Sequence, residues 1–260
     1  MIKVKILGCG SSTGVPQIGC KCTVCISKNP KDNRLRPSIL IQNTKNGKNI
    51  LVDAGPDLRT QVLKNKITNI DALFITHDHS DHITGLDDTK FFAFQQPEKR
   101  LPLYASKEVI ASLKLRFPYL FEQIGNIYHP IFTPHIIDYF DEISVCDIDI
   151  KCFKQVHGEI DCLGLRVGDF AYSTDFKYLS DAAYKVLDGI KTWVIDCQKY
   201  HWSPSHLNYE LSLQNVERVM PERAYLTHLA HDFSYDELCK ILPKGIKPAH
   251  DGLDLVVTFA

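Results

Sequence analysis

The stretch Thr76-His77-Asp78-His79-Ser80-Asp81-His82, directly after the apolar run 72–75, constrains this chain more than any other feature. A buried strand there delivers three imidazoles and two carboxylates into one turn. Neutral imidazole and carboxylate are ligands for first-row metals. Without a cation, crowding them at the end of a core strand leaves desolvated polar groups unpaired. The competing reading is a solvated polar loop, which does not account for this concentration of ligand types.

The rest of the chain is built to bury such a strand. At 260 residues it lies near the upper limit of one hydrophobic core, and 44% apolar against 23% charged residues suits a soluble globular protein. A single domain over residues 1–260 is expected. Thirty basic against thirty-one acidic side chains leave a formal charge of −1, so no global field draws the protein to nucleic acid or an anionic membrane. Any phosphate recognition must be local. Lys3 and Lys5 interrupt the first apolar stretch, and no later run approaches a membrane-spanning length, so a cytoplasmic protein with no membrane partner is expected.

Short apolar runs bounded by Gly, Pro, Asn or Asp predict strands at 4–7, 38–41, 49–52, 72–76, around 143–153, and at 164–167, 170–173, 192–195, 224–227 and 253–259. Apolar positions at helical spacing predict helices at 56–65, 107–117, 180–187, 209–220 and 235–242. Mixed strands and helices in both halves argue for sheets covered by helices rather than an alternating barrel. Residues 119–139, rich in Pro, His and aromatics, read as a long ordered loop, either a lid near the site or a plain connector.

His77-x-His79-x-Asp81-His82 resembles the defining motif of the metallo-β-lactamase superfamily. Candidates for its other elements follow in order: Asp53 after the run 50–52, His157 after a strand, Asp175 in Tyr172-Ser173-Thr174-Asp175, and His228 after 224–227. The resemblance covers nearly the whole chain and implies an α/β fold, the αββα sandwich of two central β-sheets flanked by helices. It also implies that His77, His79 and His157 hold one metal, Asp81, His82 and His228 the other, and that Asp175 bridges both. Asp81 is carried as a catalytic residue as well, and Asp53 as a residue orienting a ligand imidazole through its other nitrogen. Two divalent ions about 3.5 Å apart can share a bridging hydroxide of lowered pKa and clamp the attacked oxygen. Histidine at position 79, where the iron-containing branch of the superfamily has a carboxylate, favours zinc and leaves manganese open.

Nine cysteines, an odd number with three crowded into Cys20, Cys22 and Cys25, fit metal binding better than a disulfide framework. Gly14-Val15-Pro16 followed by Gly19-Cys20-Lys21-Cys22-Thr23-Val24-Cys25 resembles the phosphodiesterases of bacterial phosphonate degradation, which open a phosphoribosyl cyclic phosphate. There a Cys-x-Cys-x-x-Cys loop and a distant histidine hold a structural zinc. The matching histidine here is His231, which implies a closed tetrahedral site built on a loop near 19–26. A redox pair, or free thiols beside a surface histidine, is the competing reading.

The same resemblance gives His206, in Ser203-Pro204-Ser205-His206-Leu207-Asn208, a role in binding the substrate phosphate or transferring a proton. Asn208 is a good N-cap, so His206 is expected just before a positive helix end that itself suits phosphate. His201 is its competitor.

The implied function is a dinuclear-metal hydrolase acting on a small or cyclic anionic phosphodiester, as a homodimer. A transfer-RNA 3′-processing nuclease usually adds a protruding basic arm, and no Gly- or Lys-rich insertion is visible, so nucleic acid is not the favoured partner. A β-lactamase, a role in pyrroloquinoline quinone biosynthesis, and a zinc-stabilised binding protein without activity are less supported by the same residues.

Overall fold

The computed structural model describes residues 1–127 and 129–257. The first half contributes strands β1 (Ile2–Gly8), β2 (Ser38–Asn43), β3 (Asn49–Val52), β4 (Ala72–Phe74), β5 (Leu101–Ala105) and β6 (Phe132–Ile136). Its helices are α1 (Leu58–Lys64), α2 (Ser80–Ile83), α3 (Lys90–Gln95), α4 (Lys107–Arg116) and α5 (Pro118–Phe121). The second half adds β7 (Glu142–Val145), β8 (Ile148–His157), β9 (Ile160–Val167), β10 (Phe170–Ser173), β11 (Tyr178–Leu179), β12 (Thr192–Asp196), β13 (Arg223–Thr227) and β14 (Ile246–Pro248). Helices α6 (Asp181–Leu187), α7 (Tyr209–Val219) and α8 (Tyr235–Ile241) lie among them, and β15 (Asp254–Val257) returns to pair with β1.

One sheet runs β15-β1-β2-β3-β4-β5-β6 and the other β11-β8-β9-β10-β12-β13-β14, with β7 beside β8. Each sheet changes character partway across. β15 to β3 are antiparallel and β3 to β6 parallel. Likewise β8 to β10 are antiparallel and β10, β12, β13 and β14 parallel.

Alternation explains why the sheets face each other. In β1, Ile2, Val4 and Ile6 are buried while Lys3 is exposed and Lys5 half-buried, so the lysines that interrupt the run occupy the outward positions. These isoleucines and valine pack with Ile39, Ile50 and Phe74 against Ile148, Ile150, Leu165 and Phe170 of the second sheet. The outer face of the first sheet, Leu51, Leu73 and Leu103, is covered by Leu58, Phe92 and Leu113 of α1, α3 and α4. Trp193 and Ile195 of the second are covered by Leu187, Val216 and Leu238 of α6, α7 and α8. Burying each such side chain stabilises the fold by about 1.5–3 kcal/mol. The architecture is the α/β sandwich of two sheets flanked by helices.

Helices α4, α6, α7 and α8 fall within a residue of their expected ends, whereas α1 is shorter than 56–65. The stretch 143–153 divides into β7 and β8 at Cys146 (φ 56°) and Asp147 (φ 58°), a tight hairpin turn made without glycine or asparagine. β8 continues to His157 because the buried Gln155 finds a partner in the carbonyl of Thr174. Residues 119–139 are not one long loop, since they contain the end of α5 and the whole of β6. Pro134 is tolerated there because β6 is an edge strand that pairs only with β5. Positions 258 and 259 of the last expected strand lie outside the described residues. Among the described residues no helix is long and apolar enough to cross a membrane.

Candidate metal centre

Strand ends converge on one pit between the sheets. β3 hands the chain to Asp53, β4 to the segment 75–82, β10 to Asp175 and β13 to His228, while β8 ends on His157 and β12 on Asp196. Sites in α/β sheets form where the carboxyl ends of parallel strands open. Asp53, Asp175 and His228 all adopt the left-handed region, with φ of 63°, 53° and 59°. Such residues cost about 1–3 kcal/mol each and persist where the surrounding structure over-determines them. Helix α2 is held against this backbone: Ala54 N–H donates to His82 O at 2.8 Å, and a Cβ on Gly55 would lie 2.0 Å from the Asp81 carbonyl oxygen. Only glycine allows that approach, and it fixes where Asp81 and His82 point.

The expected ligands fall into two groups. His77, His79 and His157 form one and Asp81, His82, Asp175 and His228 the other, with ligand atoms in each within 4.8 Å of one another. Asp175 faces both: its Oδ1 lies 3.1 Å from His228 Nε2 and 3.9 Å from His157 Nε2, and its Oδ2 lies 3.4 Å from His82 Nε2.

The other ring nitrogens are held from behind. His157 Nδ1–H donates to Ser205 O at 2.7 Å, and His82 Nδ1–H to Asp53 Oδ2 at 2.8 Å. Asp53 also accepts from the main-chain amide and hydroxyl of Thr76. With its one proton committed there, the Thr76 hydroxyl oxygen accepts from His77 Nδ1 at 3.0 Å. The nitrogens turned into the pit tell the opposite story. His77 Nε2, His82 Nε2, His228 Nε2 and Asp81 Oδ2 are buried without a hydrogen-bond partner. Buried lone pairs left this way cost about 1–3 kcal/mol each, so a converging set of them fits cations.

Charge in the pit fits the same occupant. Burial disfavours the His82 imidazolium, but Asp175, Asp53 and Asp81 outweigh it and hold its pKa well above the histidine range. Against its own burial, His228 is carried up to about 9 by Asp175, Asp81 and Asp196. Burial likewise opposes ionisation of Asp81 and Asp175, yet the neighbouring histidines hold both well below the carboxylate range. The pit therefore favours added positive charge. Burial keeps His77 neutral, with its lone pair free to bind.

Cys20, Cys22, Cys25 and His231 form a separate group, with ligand atoms within 4.8 Å of one another. His231 Nδ1 lies 3.3 Å from Cys20 Sγ and 3.4 Å from Cys22 Sγ. Main-chain amides stabilise the sulfurs: Gln17 N–H donates to Cys25 and Cys25 N–H to Cys22. The Cys25 amide, with His231 behind it, lowers the Cys22 thiol to about 6, while burial pushes Cys25 up to about 11. All nine cysteines are unbridged.

His206 lies inside the pit rather than on a surface loop. It stacks on His228 with ring centroids 4.5 Å apart and meets His157 edge-on at the same separation. Its Nδ1 lies 3.3 Å from Asp196 Oδ1 and its Nε2 3.9 Å from Asp175 Oδ1. His201 is exposed and joins none of the metal-compatible groups of described residues. Asn208 caps α7 as expected, accepting from Leu211 N–H at 3.1 Å. Several amides at this helix end, expected from sequence to suit phosphate, are already used. Leu207 N–H is taken by Asp196, Tyr209 N–H by Lys199 O, and Leu211 N–H by the cap itself.

Asp196 was not legible as a site residue. It follows the buried run 192–195 much as Asp53 follows 50–52, and that position is the signal in the sequence that could have found it. Its carboxylate serves His206 and the Leu207 amide and lies 3.9 Å from His228 Nδ1.

Comparison with known proteins places this geometry. A model of the beta-lactamase superfamily domain matches residues 48–229. The crystal structure of a diphosphatase from the PhnP family superposes with a TM-score of 0.91 at 37% identity, covering 98% of this chain and 96% of that one. Zn(2+)-bound PqqB from Methylobacterium extorquens shares the fold, with a TM-score of 0.79 at 19% identity over 98% of this chain and 100% of that one. An octanoyltransferase of Porphyromonas gingivalis is 32% identical over 254 residues, 97% of this chain and 51% of that protein, so the chain spans about half the length of this curated relative.

Proposed function

This chain belongs to the metallo-β-lactamase superfamily, a family of metal-binding hydrolases, and from that premise we propose that it is a dinuclear-metal phosphodiesterase acting on a small or cyclic phosphodiester. The observation that carries this is His206, a histidine in the pit outside both expected ligand groups though within ligand reach of His157, Asp175 and His228, backed by Asp196 and turned toward Asp175. A leaving alkoxide requires a proton, and His206 is placed to give one. The 37% identity to a PhnP-family diphosphatase across nearly the whole chain supports hydrolysis at phosphorus.

In this account His77, His79 and His157 hold one ion, Asp81, His82 and His228 the other, and Asp175 lies between them. When bound, the ions supply an activated water and neutralise charge on the phosphoryl oxygens. Nitrogen and oxygen donors of this kind suit zinc or manganese. Asp53, Thr76 and the Ser205 carbonyl fix the ring nitrogens that face away. Asp53→Ala is therefore expected to weaken metal binding roughly 10- to 100-fold, read as a shift in the metal concentration giving half-maximal activity. An unshifted titration would remove Asp53 from this role.

The thiolate group would hold a structural zinc, since four protein ligands leave no position for water. It ties the loop carrying Cys20 to a residue three places beyond His228. Cys22→Ser should release that zinc and, for a loss of about 2–3 kcal/mol, lower the Tm by roughly 4–12 °C. A variant without this zinc but with unchanged Tm would contradict a structural role.

Asp78, Glu108, Glu159 and Asp161 line a groove beside the motif and His157. Four carboxylates there repel a polyanion, which supports a small substrate over precursor RNA. A screen of an aryl phosphodiester, cyclic phosphates, precursor RNA and a β-lactam tests the proposal. Turnover confined to the small diesters is expected, and cleavage of RNA or lactam without the diesters overturns it.

A further inference from the structure

Lys177 is a buried cation that the chemistry above leaves unused. Only 5% of it is exposed, and lysine is seldom buried this deeply unless its ammonium is paired. Its partners are informative. The Nζ donates to the main-chain carbonyl of His206 at 3.2 Å and lies 5.3 Å from the ring centroid of Trp202, on the same loop. Lys177 is itself anchored, its main-chain amide donating to Val156 O at 2.7 Å, next to His157.

These contacts converge on the segment between β12 and α7, which carries His206 without strand or helix of its own. A histidine on such a segment needs its main chain fixed as well as its ring. Asp196 holds Nδ1 and the Leu207 amide, His157 the Ser205 carbonyl and the Gln198 amide the Leu207 carbonyl, which leaves the carbonyl of His206 itself to be fixed. The ammonium of Lys177 supplies a further anchor at the His206 carbonyl, from the strand-end turn that also carries Asp175. Trp202, 68% exposed, covers that ammonium rather than packing in the core.

We propose that Lys177 is a positioning residue: its hydrogen bond to the His206 carbonyl sets where the imidazole stands, so that Nε2 faces the pit. This rests on the reading of His206 as the proton donor. Misplacing a catalytic group by about 1 Å can cost on the order of 10²-fold in rate, so one lost anchor has a measurable consequence.

The test uses metal-loaded enzyme and two diesters, one with a nitrophenolate and one with a simple alkoxide leaving group. Lys177→Met should lower kcat on the alkoxide ester roughly 10- to 100-fold, with KM little changed and the nitrophenyl ester much less affected. Lys177→Arg, which restores a cationic donor, should recover much of the loss. In a His206→Ala background Lys177→Met should cost nothing further. Metal content and Tm are measured on each variant, and if Lys177→Met does not fold, Lys177→Leu, which also removes the donor, gives the same comparison. Equal losses on both esters, or the same fold-loss with and without His206, overturn the proposal. A normal Lys177→Met enzyme beside an impaired His206→Ala enzyme overturns it while sparing the role of His206. A His206→Ala enzyme at full rate on the alkoxide ester overturns the proton-donor reading, and the role of Lys177 with it.

Discussion

Asp175→Ala is expected to weaken both catalytic metals together and to lower diester hydrolysis by roughly 10³- to 10⁵-fold, the several kcal/mol that metal ions contribute to transition-state charge. Its carboxylate is the group facing both ligand sets, with one oxygen toward His228 and His157 and the other toward His82. Removing it leaves each set short of an anion at once. Loss of one metal with the other retained at full affinity would show that Asp175 serves only one ion. Asp175→Asn separates shape from charge: it keeps the volume and should lose nearly as much, because a neutral amide is a poor ligand for either ion.

His206→Ala is expected to leave metal content and Tm near those of the parent and to reduce turnover by roughly 10²- to 10⁴-fold on a diester with a poor leaving group. His206 also lies within ligand reach of His157 and Asp175 and of Asp196 and His228, but each of the two expected ligand groups has at least three other donors, so the ions should stay. A nitrophenyl diester, whose leaving group needs little protonation, should lose far less. That dependence on leaving group marks a proton donor and is not mimicked by a general loss of folding. Asp196→Ala should reproduce much of the effect, since it frees the ring and the Leu207 amide together. If poor-leaving-group diesters are hydrolysed by His206→Ala at the parent rate, His206 is not the donor.

Much of this site is legible in the sequence, for a physical reason. Imidazoles and carboxylates are expensive to bury unpaired, so His77, Asp81 and His82 beside a core strand, with the exposed His79 at its rim, point to a cation, and Asp53, Asp175 and His228 each follow a buried apolar run. Asp196 follows such a run too, but one carboxylate without neighbouring imidazoles in the sequence carries no such signal. Lys177 is less visible still, because its role depends on a main-chain carbonyl 29 positions away. For a related reason sequence identifies the cap before Tyr209, not how many of the amides there the loop has already used. In the fold, alternating strands such as β1 were plain, whereas β5, β6 and β14 were hidden by Pro102, Pro134 and Pro248. The hairpin between β7 and β8 turns on Cys146 and Asp147, residues that do not announce a left-handed turn.

One pit with two catalytic ions and a separate thiolate site with a third would give this chain a distinct metal count. Elemental analysis of freshly purified, fully active protein tests it most directly, combined with stepwise chelation while diester hydrolysis is followed. Three metals per chain are expected, with activity lost as the two ions of the pit are withdrawn and the thiolate zinc retained longest. Full activity in protein carrying a single metal per chain would contradict it.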